Sequence, residues 1–193
     1  SGLIVSEISL HILDIAENII AAGASCIHIH VTEDLKANVL SAQILDNGKG
    51  MDERTVAMVV DPFVTSRTTR KVGLGIPLLK AAAESTNGYL NIVSEIGRGT
   101  QVNIQFQYDH IDRMPLGDLA GTFLTLLVSF PLIQWIFNYF YRDEIVMTGK
   151  TFFLDSSELR NILDGCSYTE PEILTFLRTF FESGIDDTRH LNT

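Results

Sequence analysis

Asp46-Asn47-Gly48-Lys49-Gly50-Met51 decides how the rest of this chain is read. Val39–Leu45 just before it has the alternation of a strand, so the acid falls at a strand end. A carboxylate placed there can accept a hydrogen bond from an amino group such as the N6 of adenine. Gly48 and Gly50 have no Cβ and tolerate φ > 0, so a flat ring can approach the backbone closely. By itself D-x-G-x-G also marks ordinary turns. Its weight comes from what lies on either side.

Upstream, residues 8–22 have helical period, with Ile8, Ile12, Ile15 and Ile19 on one stripe and Gly23 in the stopping position. His11, Asp14 and Asn18 share another face of that helix. Cys26–Thr32 then alternates, Ile27, Ile29 and Val31 against Cys26, His28 and His30. Downstream, the pattern predicts a short helix over Asp52–Val60 and a longer one over Gly73–Thr86, closed by Asn87-Gly88. Tyr89–Ser94 and Gln101–Gln107 read as strands joined through the Gly97–Gly99 turn. Strands with one apolar and one polar face predict a sheet covered by helices on one side, an α/β two-layer sandwich.

Four segments therefore stand in order. They are Asp14-Ile-Ala-Glu-Asn18 on a helix, Asp46-x-Gly48-x-Gly50, then Asp61-Pro62-Phe63 with a polar basic stretch ending in Gly73-Leu74-Gly75, and Gly97-Arg-Gly99-Thr100. This order resembles the GHKL ATP-binding superfamily, which includes histidine kinases, anti-sigma-factor serine kinases, type II topoisomerases, heat-shock chaperone ATPases and mismatch-repair ATPases. The resemblance covers roughly residues 6–108. It implies an α/β sandwich of the GHKL type that binds ATP with Mg²⁺.

The resemblance also implies roles. Asn18 would offer its amide oxygen to Mg²⁺, a hard cation that takes oxygen ligands and keeps waters. Asp14 stands where the hydrolytic and anti-sigma-kinase branches carry a glutamate that orients or deprotonates the nucleophile, and where histidine kinases generally carry asparagine. It is one methylene shorter than that glutamate, a departure that bears on its reach as a general base. Asp46 would contact adenine, with Gly48 and Gly50 making room and Thr100 supporting the carboxylate directly or through a water. Gly73, Leu74 and Gly75 open a helix whose N–H groups favour phosphate. Lys71 stands where the family usually has a further glycine, and is read as a phosphate ligand. Arg67 and Arg70 are weaker candidates in the same stretch. His28-x-His30 has a chelating spacing, but no acid or thiol follows with useful spacing.

The net charge is −10, with 11 acids against 8 bases in residues 1–108 and 13 against 6 in residues 109–193. Neither part has the basic surplus that binding to a phosphate backbone needs, so no nucleic-acid partner is expected. Cys26 and Cys166 form no motif, and no signal-peptide pattern is legible, so a cytoplasmic protein with reduced thiols is expected. Residues 119–141 carry no charge and are long enough to span a bilayer. Pro131 and the polar Thr122, Thr125, Ser129, Gln134 and Asn138 favour instead a buried helix near 116–130 followed by an aromatic strand. A hairpin returning through Gly149 to Lys150–Leu154 comes next, then helices near 156–164 and 170–183 ending at Gly165 and Gly184.

Residues 1–108 are thus expected to form the ATP-binding domain. Residues 109–193 are expected to form a small C-terminal α+β domain for regulation or partner docking. The predicted activity is transfer of the γ-phosphoryl group to a serine or histidine of a protein partner, or ATP hydrolysis, by a stand-alone protein that could assemble as a homodimer. The alternative is an ATP-gated interaction module with slow or no transfer.

Overall fold

The structure is a computed structural model that describes residues 7–65, 75–145 and 148–189. Its centre is a six-stranded sheet in the order β3-β4-β2-β1-β5-β6. These strands are β1 (Cys26–Asp34), β2 (Val39–Asp46), β3 (Tyr89–Glu95), β4 (Gly99–Gln107), β5 (Gln134–Arg142) and β6 (Lys150–Asp155). Every pairing is antiparallel except that of β1 with β5, which sets Ile27 beside Trp135 and Val31 beside Tyr139.

The period-2 pattern explains the two faces. Ile27, Ile29, Val31, Leu40, Ile44, Val102, Ile104 and Phe106 are buried on the inner face. On the outer face amides link across strands. Asn103 Oδ1 accepts from Gln43 Nε2 at 2.9 Å, and Asn103 Nδ2 donates to Asn91 Oδ1 at 2.8 Å. His28 and His30 lie on this face with ring centroids 6.4 Å apart, and burial lowers the pKa of both. Among the described residues no group of three His, Cys, Asp or Glu is arranged to hold a metal.

Helices cover the inner face, so the two-layer α/β sandwich expected from the pattern is what forms. The first, α1 (Ile8–Ala21), buries Ile8, Ile12, Ile15 and Ala16. It stops as the sequence predicts, with Gly23 at φ 92° and its N–H on Ile20 O at 3.0 Å. Next comes α2 (Glu53–Val59), capped by Asp52, whose side chain accepts from Thr55 N at 2.8 Å. A four-residue turn, α3 (Pro62–Thr65), precedes α4 (Gly75–Glu84).

The uncharged stretch 119–141 divides into α5 (Leu119–Ser129) and β5. Among the described residues no helix is long and apolar enough to cross a membrane. Instead α5 packs Phe123 flat against Phe137 of β5, with centroids 4.3 Å apart. The chain closes with α6 (Ser156–Leu163) and α7 (Pro171–Arg189). Residues 109–193 supply helices and strands as expected, and their strands extend the same sheet along the β1 edge. Gly184 does not end α7. A Cβ there would lie 2.4 Å from the Phe152 ring, so glycine lets the helix approach β6 and continue to Arg189.

Candidate functional site

The site forms where β2 ends. Asn47 fastens that end to the start of β1. Its Oδ1 accepts from Ser25 N at 2.9 Å and Cys26 N at 3.0 Å, and its Nδ2 donates to Ser25 Oγ at 2.9 Å. In the sequence Asn47 is only the unspecified position after Asp46 in D-x-G-x-G. The sole hint available was that Asn commonly bonds backbone in turns.

Asp46 lies opposite Thr100 in the β2–β4 register. Its Oδ1 accepts from Gly48 N at 2.7 Å. Burial raises its pKa, while the backbone N–H groups of Gly48 and Thr100 oppose that rise by stabilising the anion. A half-buried carboxylate with two backbone donors is thereby held in one orientation.

Each glycine has a separate reason. A Cβ at Gly48 would lie 2.7 Å from Asp46 Oδ1. Gly50 has φ 69°, and its Cβ would lie 2.0 Å from Glu95 O. At Gly99 the obstacle is Asp46 O itself, 2.0 Å away. The D-x-G-x-G turn and the G-x-G-T turn therefore interlock at backbone distance. Gly97 N adds a hydrogen bond to Lys49 O at 2.8 Å.

Thr100 reaches Asp46 through its main chain. Its hydroxyl is paired with Ser94 Oγ at 2.8 Å, and Ser94 Oγ in turn accepts from Met51 N at 2.8 Å. Ser94 is thus a member of the site that the sequence reading missed.

A cavity of about 340 Å³ opens beside Asp46. Its polar lining includes Asp46, Asn18, Thr100 and Lys49, and its walls are apolar, among them Ile15, Ile19, Ile76, Ile92 and Val102. Apolar walls with a few fixed polar groups suit a planar heteroaromatic ligand. Ile15 and Ile19 were legible as the apolar stripe of the first helix and gave no sign that they face a cavity.

Asp46, Gly50, Asn18 and Thr100 are brought together on this cavity. Gly48 is buried directly behind Asp46. Asp14 is exposed, one turn before Asn18 on α1, and does not line the cavity. Its charge acts on His11, whose pKa burial lowers and Asp14 partly restores. Gly75 begins α4, and a Cβ there would meet nothing within 4 Å. Lys71, Gly73 and Leu74, with Arg67 and Arg70, lie outside the described residues.

Known proteins resemble this chain in sequence. The family model of the histidine kinase-, DNA gyrase B-, and HSP90-like ATPases matches residues 3–110. An NtrY-like sensor histidine kinase of Rickettsia conorii is 27% identical over 108 residues, covering 56% of this chain and 18% of that protein. The autoinducer 2 sensor kinase/phosphatase LuxQ of Vibrio cholerae is 26% identical over 114 residues, covering 56% of this chain and 13% of its own. The sensor histidine kinase YvrG of Bacillus subtilis is 31% identical over 83 residues, covering 41% of this chain and 14% of its own. The chain thus spans less than a fifth of the length of these curated relatives. A crystal structure of full-length ShkA in complex with AMPPNP matches with a TM-score of 0.41 at 18% identity, over 50% of this chain and 20% of that one, a likeness too slight to argue from. On the match to more than half of its residues, the chain belongs to the histidine kinase-, DNA gyrase B-, and HSP90-like ATPase family and carries that family's ATP-binding module.

Proposed function

We propose that the chain binds ATP with Mg²⁺ and passes the γ-phosphoryl group to a side chain on a partner protein. The observation that carries this reading is the convergence of Asp46, Thr100 and Asn18 on one apolar-walled cavity. Asp46 is the acceptor for the adenine amino group. Asn18 is a neutral oxygen donor at the same cavity. With no cluster of acidic, thiol or imidazole ligands among the described residues, a cation there would take its other ligands from water and phosphate. That donor set fits Mg²⁺, which binds through few protein groups and keeps its waters. When bound, the ion supplies charge neutralisation for the phosphates.

Asp14 is proposed to orient the acceptor. Its exposure suits a hydroxyl or imidazole delivered by another protein better than a water held inside the cavity. Its position off the cavity equally favours a second reading, in which ATP gates partner binding with slow or no transfer. Lys71, Gly73, Leu74 and Gly75 are proposed as the phosphate side of the site.

Two measurements test this. Asn18→Ala should still bind adenosine but lose the tightening of ATP binding by Mg²⁺ in calorimetric titration. Tightening equal to the parent's would remove Asn18 from the metal. With γ-labelled ATP and a co-purified partner, Asp14→Asn should abolish transfer and leave ATP affinity unchanged, while Asp14→Glu preserves or raises turnover. If the parent and Asp14→Glu are both inert, and ATP still alters partner binding, the gated module replaces the kinase.

A further inference from the structure

The sheet ends at β6, and among the described residues no strand pairs with its outer edge. Alternate N–H and C=O groups of an edge strand are a template for another chain. Beside this edge runs α7, and the two enclose a groove of about 530 Å³. Phe152 is buried at it, whereas Phe153, Phe176 and Phe180 stand 52%, 55% and 36% exposed. Phe176 and Phe180 are stacked with centroids 6.2 Å apart, and Phe180 lies 5.5 Å from Phe152. Adjoining exposed aromatic rings mark interaction sites more often than bare surface.

The charge beside the groove is mainly acidic, with Asp187 in its lining and Glu172 further along α7, although Lys150 begins β6. Glu172, Phe176, Phe180, Ser183 and Asp187 recur at helical spacing, so one stripe of α7 carries aromatic rings in its middle and an exposed acid at each end. Residues 109–193 as a whole hold 13 acids against 6 bases. A second copy of the chain docked edge to edge would set acidic stripes against each other, which like-charge repulsion disfavours. A basic strand meets no such opposition. The two terminal acids are about 22 Å apart along the helix axis at 1.5 Å per residue, a span that an extended chain covers in about seven residues.

We propose that this groove binds an extended segment of a partner protein as a seventh strand on β6. Its apolar side chains lie against Phe176 and Phe180, and lysine or arginine residues about seven positions apart meet Glu172 and Asp187. Main-chain pairing supplies affinity and the flanking charges supply choice of partner. The surface is remote from the Asp46 cavity and shares no lining residue with it, so the inference stands whether or not phosphate is transferred.

The test uses no nucleotide, so its outcome is separate from that of the ATP site. The probe is a fluorescein-labelled peptide of alternating valine and threonine with lysine at both ends, and its twin with glutamate ends. By anisotropy the lysine peptide should bind at least about tenfold more tightly, equivalent to about 1.4 kcal/mol. Amide hydrogen exchange in residues 150–155 should slow on binding. Phe176→Ser and Asp187→Lys, both at exposed positions, should each weaken binding severalfold while unfolding at the parent's temperature. Equal binding of the two peptides, no binding of either, unchanged exchange in β6, or indifference to both substitutions would overturn the proposal. So would a concentration-dependent dimer that Phe176→Ser abolishes, since a second copy would then be the occupant.

Discussion

A methyl group added at Gly48 would lie 2.7 Å from Asp46 Oδ1, and the backbone there does not occupy the left-handed region. The main chain can therefore keep its course while the carboxylate must turn aside. Gly48→Ala should unfold at nearly the parent's temperature yet bind ATP about tenfold or more weakly, since a hydrogen bond to a charged group is worth about 1.5–3 kcal/mol. Calorimetry giving the parent's affinity would mean that Asp46 does not need its present orientation. Gly50 differs, because its obstacle is the Glu95 carbonyl and not a side chain. The acid and both glycines were legible because their types and spacing are local properties. Asn47 and Ser94 were not. Their partners, Ser25 and Thr100 among them, are brought near only by strand pairing.

At the scale of elements, α1 and the first four strands were read close to their observed limits, because periods of 3.6 and 2 are strong when one face is buried. The last helix was read too short. Gly23 and Gly184 look alike in sequence, and glycine in a helix interior costs about 1 kcal/mol relative to alanine. Gly23 takes φ 92° and ends α1, whereas Gly184 stays helical because the Phe152 ring occupies the place of its side chain. The difference lies in a neighbour more than thirty positions away in sequence. Gly184→Val should therefore lower stability by about 1–3 kcal/mol, the usual cost of overpacking. Phe152 is buried at the groove between β6 and α7, so displacing its ring loses packing. Denaturant unfolding at the parent's midpoint would show that α7 shifts freely over β6.

For the molecule as a whole, the pairing least accessible to periodicity is β1 with β5, since an alternating pattern identifies a strand but not its neighbour. Residues 109–193 accordingly read as a unit of their own, although their strands continue the first sheet. A buried polar cluster ties the end of α7 to the sheet. Tyr139 OH donates to Glu33, and Arg189 Nε reaches Glu33 Oε2 at 3.3 Å and Tyr139 OH at 2.9 Å. Burial and the Glu33 carboxylate push the tyrosine pKa well above its ordinary range. Tyr139→Phe would leave a buried carboxylate short of one donor and should cost about 1–3 kcal/mol. Unchanged thermal stability would show that Arg189 satisfies Glu33 alone. The β1–β5 pairing also has a consequence for synthesis. On the ribosome, β1 finds β2 almost at once but must wait for Gln134–Arg142 to emerge before its other side is paired. Until then an inner strand of the finished sheet is a bare margin open to foreign chains. Translation speed between the two segments, and any chaperone that shelters β1 in the interval, thereby bear on how much of this protein folds.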